Sequence, residues 1–426
     1  MLWCTECRTS IAQAELETRE QESAFYTLPF LCGGDVLPVA TTRPELLYGC
    51  VCLFLHPDHP GSQKYLGKTA RVPLYGHEIP ILADEKADPE KGTGIVMCAT
   101  FGDSTDAQWV EEHALPTRKV LLPDGRLDPA VPHIGGLTVK QARREIVRLL
   151  EERGELLDSQ PVTHAVGMHE RCGTEVEILP SRQWYIDVLS QRERYLQAAD
   201  EIAWHPAQMK ARYLSWVENL KWDWCISRQR YYGVPFPVWY CKCCGSPVFA
   251  PEDSLPVDPR TISYEGACPH CGSTEFVPET AVLDTWATSS VTPLLHKNRG
   301  LPEYPLSMRT HAHEIIRTWT FYSIVRSLYH TGKLPWKELM VNGFVLAKPG
   351  EKLSKSKGGG LDPAKLISEH SADALRLWSA NARLGTDTFF SPADLQPEKR
   401  FLTKLWNAAR FAIPLLEGCS PARKPA

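Results

Sequence analysis

Three groups of residues carry side chains suited to chemistry. The first is Glu351-Lys352-Leu353-Ser354-Lys355-Ser356-Lys357-Gly358-Gly359-Gly360. Its lysines alternate with serines, so ammoniums and hydroxyls can converge on one point, and the glycines let the backbone approach a ligand closely. Such a loop suits a polyphosphate, because cations stabilise the charge that builds on leaving oxygens. A bare Lys/Ser run can also be a solvated basic loop. The second group is cysteine pairs. Cys241-Lys242-Cys243-Cys244 and Cys268-Pro269-His270-Cys271 are two Cys-x-x-Cys pairs, each followed by glycine. That spacing predicts a zinc ribbon held by Cys241, Cys244, Cys268 and Cys271, with Cys243 spare. Four thiolates close the site, so the metal is structural. Cys4 and Cys7 make a further pair with no partner nearby. His169 and Cys172 have the same spacing and complete a second, Cys3His, set. The alternative for Cys4 and Cys7 is two packed thiols. The third group joins hydroxyls to carboxylates: Thr41-Thr42-Arg43-Pro44-Glu45, and Asp103 and Asp106 beyond Gly92-Thr93-Gly94.

The elements that must hold these groups are legible in part. The lysine loop lies between a β-type apolar run, Leu339 to Leu346, and a helix opened by Asp362 at the N-cap and Pro363 at the first helical position. A loop placed before a helix N-terminus favours phosphate. Val36 to Thr41 reads as a strand running into a Thr-rich turn, and Lys91 to Thr100 as a second strand with a Gly-Thr-Gly entry. Thr138 to Arg153 reads as an amphipathic helix, with Thr138 and Gln141 as a capping box and Gly154 at the C-cap. Together these make a mixed α/β domain. Pro132-His133-Ile134-Gly135-Gly136 has no strand feeding it, so His133 is expected in a loop. The Trp- and Tyr-rich stretch 221–233 is expected to be mostly core, with Arg228 and Arg230 contacting RNA phosphates. A helix is expected from His311, with Ile315, Trp319 and Tyr322 on one face, and another from Phe401.

Composition bounds the class. The 426 residues suffice for several domains and a large core. An apolar fraction of 43% and a charged fraction of 23% are ordinary for a globular protein. The net charge of −4 allows nucleic acid to be met only by a local patch. No apolar run approaches membrane-spanning length, and no membrane partner is expected. The N-terminus does not read as a signal peptide. Fourteen cysteines with no such signal therefore point to metal rather than disulfides, and to the cytoplasm.

Lys352-Leu353-Ser354-Lys355-Ser356 resembles the Lys-Met-Ser-Lys-Ser signature of class I aminoacyl-tRNA synthetases, with Leu at the Met position. The resemblance implies that this loop closes over ATP (with Mg2+), through Lys352, Ser354, Lys355 and Ser356, with Lys355 carrying most of the charge stabilisation. Thr41-Thr42-Arg43-Pro44-Glu45 resembles the threonine-rich motif of the editing domain in the valyl, isoleucyl and leucyl members. Gly92-Thr93-Gly94 followed by Asp103 and Asp106 resembles that domain's second motif. By that resemblance Asp106 binds the α-ammonium of a mischarged amino acid, and Thr41 and Thr42 hold the attacking water and the tRNA terminus. Arg43 and Asp103 are also assigned to substrate. Many relatives carry Lys and Thr where this chain has Met97 and Ala99. Leu283-Asp284-Thr285-Trp286 is similar to the valyl pattern. It assigns Asp284 and Trp286 to the amino acid, with Trp286 walling the pocket for a small aliphatic side chain. Relatives commonly have Asp at Glu314, gripping the adenosine ribose.

The resemblance covers essentially the whole chain, with its motifs in family order. It implies an α/β fold: the second half of a class I Rossmann catalytic core, an inserted β-barrel-like mixed α/β editing domain, two zinc modules and the start of a helical bundle. The expected boundaries are a split zinc knuckle at 1–8 and 165–175, editing domain 9–164, connector 176–238, ribbon 239–276, catalytic portion 277–385 and bundle start 386–426. His-Ile-Gly-His, the family's other ATP motif, is not spelled in these residues, and the chain is expected to be a central portion of a valyl-type synthetase. Its expected partners are valine, ATP and tRNA(Val), and its expected state is a monomer completed by an N-terminal portion. Three readings compete: an isoleucyl-type synthetase fragment, a freestanding aminoacyl-tRNA deacylase, and a zinc-ribbon RNA-binding module without catalysis. Lys352 and Lys355 argue against the last two, since neither needs an ATP loop.

Overall fold

The computed structural model describes residues 1–90, 92–298, 304–348, 351–352 and 362–417. They form two compact units. One comprises Met1–Leu189 with Lys221–Thr285, the other Ser190–Leu220 with Trp286–Ala426.

In the first unit, β1 (Leu2–Cys4) and β2 (Thr9–Ser10) lead into the 17-residue β3 (Leu16–Cys32). There follow β4 (Asp35–Thr41), β5 (Cys50–Leu55), β6 (Thr69–Arg71), β7 (Glu78–Ala83), β8 (Ile95–Ala99), β9 (Asp158–His169) and β10 (Val176–Ile178). β1 sits between β10 and β2 in a small antiparallel sheet. The large sheet runs β4-β3-β6-β7-β5-β8, and β9 also pairs with β3, in register from Leu16↔His169 to Thr27↔Asp158. The chain thus leaves the small sheet along β3 and returns along β9.

Local sequence explains the strands. β5, Cys-Val-Cys-Leu-Phe-Leu, is apolar throughout and buried throughout. β4 alternates instead: Leu37 and Val39 are buried while Val36 faces solvent. Helix α1 (Ser104–Glu112) follows β8, and α2 (Val139–Glu152) precedes β9. The expected capping box is present on α2, Gln141 Oε1 accepting from Thr138 N at 3.1 Å. Gly154 closes the helix at φ +68°, a conformation that costs glycine little. Ala142, Ile146 and Leu150, four residues apart, bury one stripe of α2 in the core that also holds Leu28, Phe30, Val39 and Ile81, with the turn Pro44–Gly49 as its neighbour. His133 lies in a turn, as expected.

Arg228 corrects an expectation. Its guanidinium is fully buried and cannot meet an RNA phosphate. Nη2 pairs with Glu15 Oε2 at 2.6 Å and lies 3.5 Å from Asp284 Oδ2, while Nη1 donates to the carbonyls of Cys225 (3.0 Å) and Ser227 (2.8 Å). Its carboxylate partners are remote in sequence, so local spacing carried no sign of them. Arg228→Ala leaves two carboxylates buried without their cation, and should cost about 3–5 kcal/mol of stability. Urea denaturation reads this directly. A loss below about 1 kcal/mol, the range of exposed pairs, would rule the network out as a structural clamp.

The second unit holds a parallel sheet in which Trp336–Asn342 lies between Ala203–His205 and Leu306–Ala312. The segment joining Leu306–Ala312 to Trp336–Asn342 is helical, which makes a βαβ unit. The helix expected from His311 begins later, because His311 and Ala312 are still paired with Val341 and Asn342. It runs as a 3-10 turn (His313–Ile315), a π-turn (Ile316–Thr320) and an α-helix (Phe321–Thr331). The wider π-turn shifts the buried face, so Ile316 rather than Ile315 is buried beside Trp319 and Tyr322. Trp319 stacks on Trp336 with centroids 5.2 Å apart.

The apolar run Leu339 to Leu346 is two strands, broken at Gly343, where a Cβ would lie 2.2 Å from Thr386 O. Val345–Lys348 pairs with Glu351–Lys352 and with Thr388–Phe389. Asp362 caps Pro363–His370 as expected, accepting from Ala364 N at 2.9 Å. The last helix, Leu395–Leu415, starts earlier than expected and leaves Phe401, Trp406 and Phe411 exposed. No helix among the described residues is long and apolar enough to cross a membrane.

Candidate active site and metal centres

Asp106 sits in the first turn of α1, which Asp103 caps by accepting from Thr105 N (2.7 Å) and Asp106 N (2.9 Å). The preceding turn is tight. Phe101 has φ +66°, and a Cβ on Gly102 would fall 2.5 Å from Asp106 Oδ2. That oxygen accepts from Gly102 N at 3.1 Å and Ala99 N at 3.3 Å. No donor among the described residues reaches Oδ1. Burial, reinforced by the neighbouring Asp103 charge, pushes the Asp106 carboxyl up to about 7, against the two backbone donors. A buried carboxylate with one fixed and one open oxygen is suited to receive a cation.

Thr41 ends β4, and its hydroxyl accepts from Arg43 N at 3.0 Å; Thr42 is half-buried. Arg43 ties this motif to the second one. Its Nη1 donates to Gly102 O (3.0 Å), Nη2 to Glu177 Oε2 (2.8 Å) and Nε to Glu45 Oε1 (3.2 Å). Glu45, fully buried, also accepts from Arg143 Nε at 2.9 Å and Nη2 at 2.8 Å. The Arg43 side chain is therefore engaged with protein and holds the two motifs in register. Sequence reasoning missed Glu177 and Arg143. Neither carries a local signal, since each meets its partner across roughly a domain's length of chain. Met97 and Ala99 are buried in β8. A cavity of about 110 Å3 lies beside the second motif, lined by Thr100, Phe101, Arg118, Glu177 and Leu46 among others.

Both expected ligand quartets converge. Cys4, Cys7, His169 and Cys172 place their donor atoms within 4.8 Å of one another, as do Cys241, Cys244, Cys268 and Cys271. In the first, Cys4 Sγ lies 3.4 Å from Cys172 Sγ, and His169 Nδ1 lies 3.3 Å from Cys172 Sγ and 3.7 Å from Cys7 Sγ. In the second, Cys241–Cys271 and Cys244–Cys268 are separated by 3.5 and 3.6 Å. Tetrahedral thiolates at about 2.3 Å from a zinc ion lie roughly 3.8 Å apart, so both sets fit that metal. All cysteines among the described residues are free of disulfides. A third group, Asp84, Glu112 and His113, was not expected. Its atoms are already satisfied, His113 by Asp84 at 3.0 Å and Glu112 by Lys86 at 2.6 Å.

A family model described as tRNA synthetases class I (I, L, M and V) matches residues 1–391. The chain belongs to this synthetase family. Among similar proteins is a valine–tRNA ligase of Archaeoglobus fulgidus, 42% identical over 425 residues, covering 100% of this chain and 49% of that protein. One of Methanocaldococcus jannaschii is 43% identical, covering 96% and 47%. One of Rickettsia rickettsii is 42% identical, covering 97% and 52%. The chain spans about half the length of the curated relatives it matches.

The remaining synthetase-type residues are distributed between the units. Asp284, buried and paired with Arg228, belongs to the first. Trp286, half-buried on the short helix Thr285–Ser289, belongs to the second, as does Glu314, exposed in its 3-10 turn. Lys352 ends the strand Glu351–Lys352. Ser354, Lys355 and Ser356 lie outside the described residues.

Proposed function

We propose that the chain is the central portion of a cytoplasmic, monomeric valine–tRNA ligase. It would join valine to tRNA(Val) using ATP with Mg2+, and hydrolyse mischarged threonyl-tRNA(Val). Its modules are the split knuckle (1–8, 165–175), the editing domain (9–164), the connector (176–238), the ribbon (239–276), the second half of a Rossmann core (277–385) and the start of a helical bundle (386–426). The observation that carries the editing part is Asp106, a buried carboxylate whose Oδ1 has no donor among the described residues.

In this reading Asp106 Oδ1 receives the α-ammonium of the aminoacyl ester. Asp103 holds Asp106 by capping its helix, and Arg43 holds the two motifs together. Thr41 and Thr42 orient the water and the terminal ribose. Water adds to the ester carbonyl, the acyl–oxygen bond breaks, and free threonine and the tRNA hydroxyl leave. Threonine and valine are nearly isosteric, and this family's pair is a standard illustration of why an apolar pocket needs a second, hydrolytic check. In the other unit Lys352 and Lys355, with Ser354 and Ser356, meet the ATP phosphates, Glu314 the ribose, and Trp286 the amino acid. Zinc, held by the two quartets, would supply cross-linking and no reaction step.

The test pairs two assays on a polypeptide of these 426 residues. Deacylation of threonyl-tRNA(Val) is expected, slow and with valyl-tRNA(Val) spared. Valine-dependent ATP–pyrophosphate exchange is expected to be absent, because these residues spell only one of the family's two ATP motifs. Equal hydrolysis of both charged tRNAs would overturn the editing reading.

A further inference from the structure

The cavity beside the second motif has no part in the hydrolysis proposed above, because Thr41, Thr42 and Asp106 are absent from its walls. It lies within the first unit, between residues 117–121 and 177–180. Val120, Leu121, Ile178 and Leu179, all buried, make most of its lining apolar. Thr117 and Lys119 stand exposed at its rim, so it is reached from solvent. Its volume is about 110 Å3. An apolar cavity of about 150 Å3 holds benzene, so this one takes a small molecule whose polar end stays at the mouth.

Two lining residues of opposite charge point to the occupant. Glu177 is 6% exposed. Its Oε2 accepts from Arg43 Nη2 at 2.8 Å, and no donor among the described residues reaches Oε1. Burial pushes its carboxyl up in spite of Arg43, so a further cation would be favourable there. Arg118 is half-buried and makes no ion pair among the described residues. Its guanidinium lies 5.6 Å over the Tyr48 ring, and its charge acts on Cys50 and His77, neither of them a carboxylate. Lys119, in contrast, is held by Asp128 at 3.2 Å. A simple cation would leave Arg118 unmatched, and a simple anion would leave Glu177 Oε1 unmatched. A zwitterion with a small apolar group answers both charges and the walls. We propose that this cavity binds a free α-amino acid with a short aliphatic side chain, its ammonium on Glu177 and its carboxylate on Arg118. The site is separate from the Asp106 ammonium site, and it distinguishes a free amino acid from an aminoacyl ester, which has no carboxylate to offer.

Calorimetric titration of the 426-residue chain with three compounds tests it: valine, valine methyl ester and 3-methylbutanoate. A hydrogen bond between charged groups is worth about 10- to 100-fold in affinity. Valine should therefore bind at least about tenfold more tightly than the ester, which lacks the carboxylate, or 3-methylbutanoate, which lacks the ammonium. Arg118→Met should weaken valine by about 10- to 100-fold, and Arg118→Lys should restore part of the loss. Thr117→Trp, which fills the mouth from an exposed position, should weaken it as much without lowering the melting temperature. Asp106→Ala and Trp286→Ala should leave valine binding as it is. Equal binding of valine and its ester overturns the site, as does a chain that binds no valine. So does loss on Asp106→Ala or Trp286→Ala with Arg118→Met and Thr117→Trp still binding, which would place the amino acid elsewhere. Each of these failures leaves the deacylation assay untouched, so the hydrolytic reading stands or falls separately.

Discussion

Asp106→Ala should abolish measurable hydrolysis of threonyl-tRNA(Val). Deleting one member of a buried charged contact costs about 2–5 kcal/mol, and each 1.4 kcal/mol is tenfold, so the expected loss is roughly 30- to several thousand-fold. Asp106→Asn should lose nearly as much, because it keeps the acceptor for Ala99 N and Gly102 N but not the charge. The same residue sets a pH dependence. Its carboxyl is raised from 3.8 to about 7, so the fold holds the proton more tightly than the unfolded chain does. The stability it contributes is full below pH 4 or so and is lost as pH rises through about 7. Binding an ammonium needs the opposite state, the carboxylate. The kcat/KM of deacylation should therefore climb with pH and level off above about 7. Hydroxide also gains with pH, so the deciding comparison is the difference between the wild-type and Asp106→Asn profiles. Parallel profiles, or an asparagine variant at full rate, would remove Asp106 from the ammonium site.

What the sequence disclosed and what it hid differ by range. The capping box on Val139–Glu152, the Asp362 cap and the His133 turn were legible because each is decided within a few residues. The metal quartets were legible despite their span, because cysteine and histidine in paired spacing have few other uses. The carboxylate partners of Arg43 and Arg228 were hidden for a common reason. Each motif advertises a cation, but whether that cation faces solvent or a carboxylate depends on Glu177 in one case and Glu15 in the other, both far off in the chain. The shift from Ile315 to Ile316 was hidden because a π-turn leaves no mark in apolar spacing.

Purified protein should carry two zinc ions per chain, one for each converging quartet. Cys268→Ser should reduce this to one and unfold the ribbon around it. Structural zinc contributes on the order of 10–16 kcal/mol in small modules at neutral pH. Residues 242–275 have little to replace it, since Val248, Val257, Pro259 and Cys268 are their only buried apolar side chains among the described residues. Limited proteolysis should then cut within 242–275 while Met1–Leu189 persists. Cys7→Ser should remove the other ion and leave 242–275 protected. A Cys268→Ser protein that still held two ions would refute the four-thiolate site. One ion in the wild type, lost on Cys268→Ser, would refute the Cys4, Cys7, His169 and Cys172 site.

The pairing of β3 with β9 has a consequence for inheritance. Because Leu16 lies opposite His169, everything between them enters and leaves through one doorway. The small β10-β1-β2 sheet closes on itself without that segment. One recombination event with both joints at this doorway could delete, duplicate or exchange the whole segment without reordering any strand on the near side. The same doorway lets a laboratory graft be made with two joints that already lie side by side, which is where chain-exchange between homologues is least disruptive.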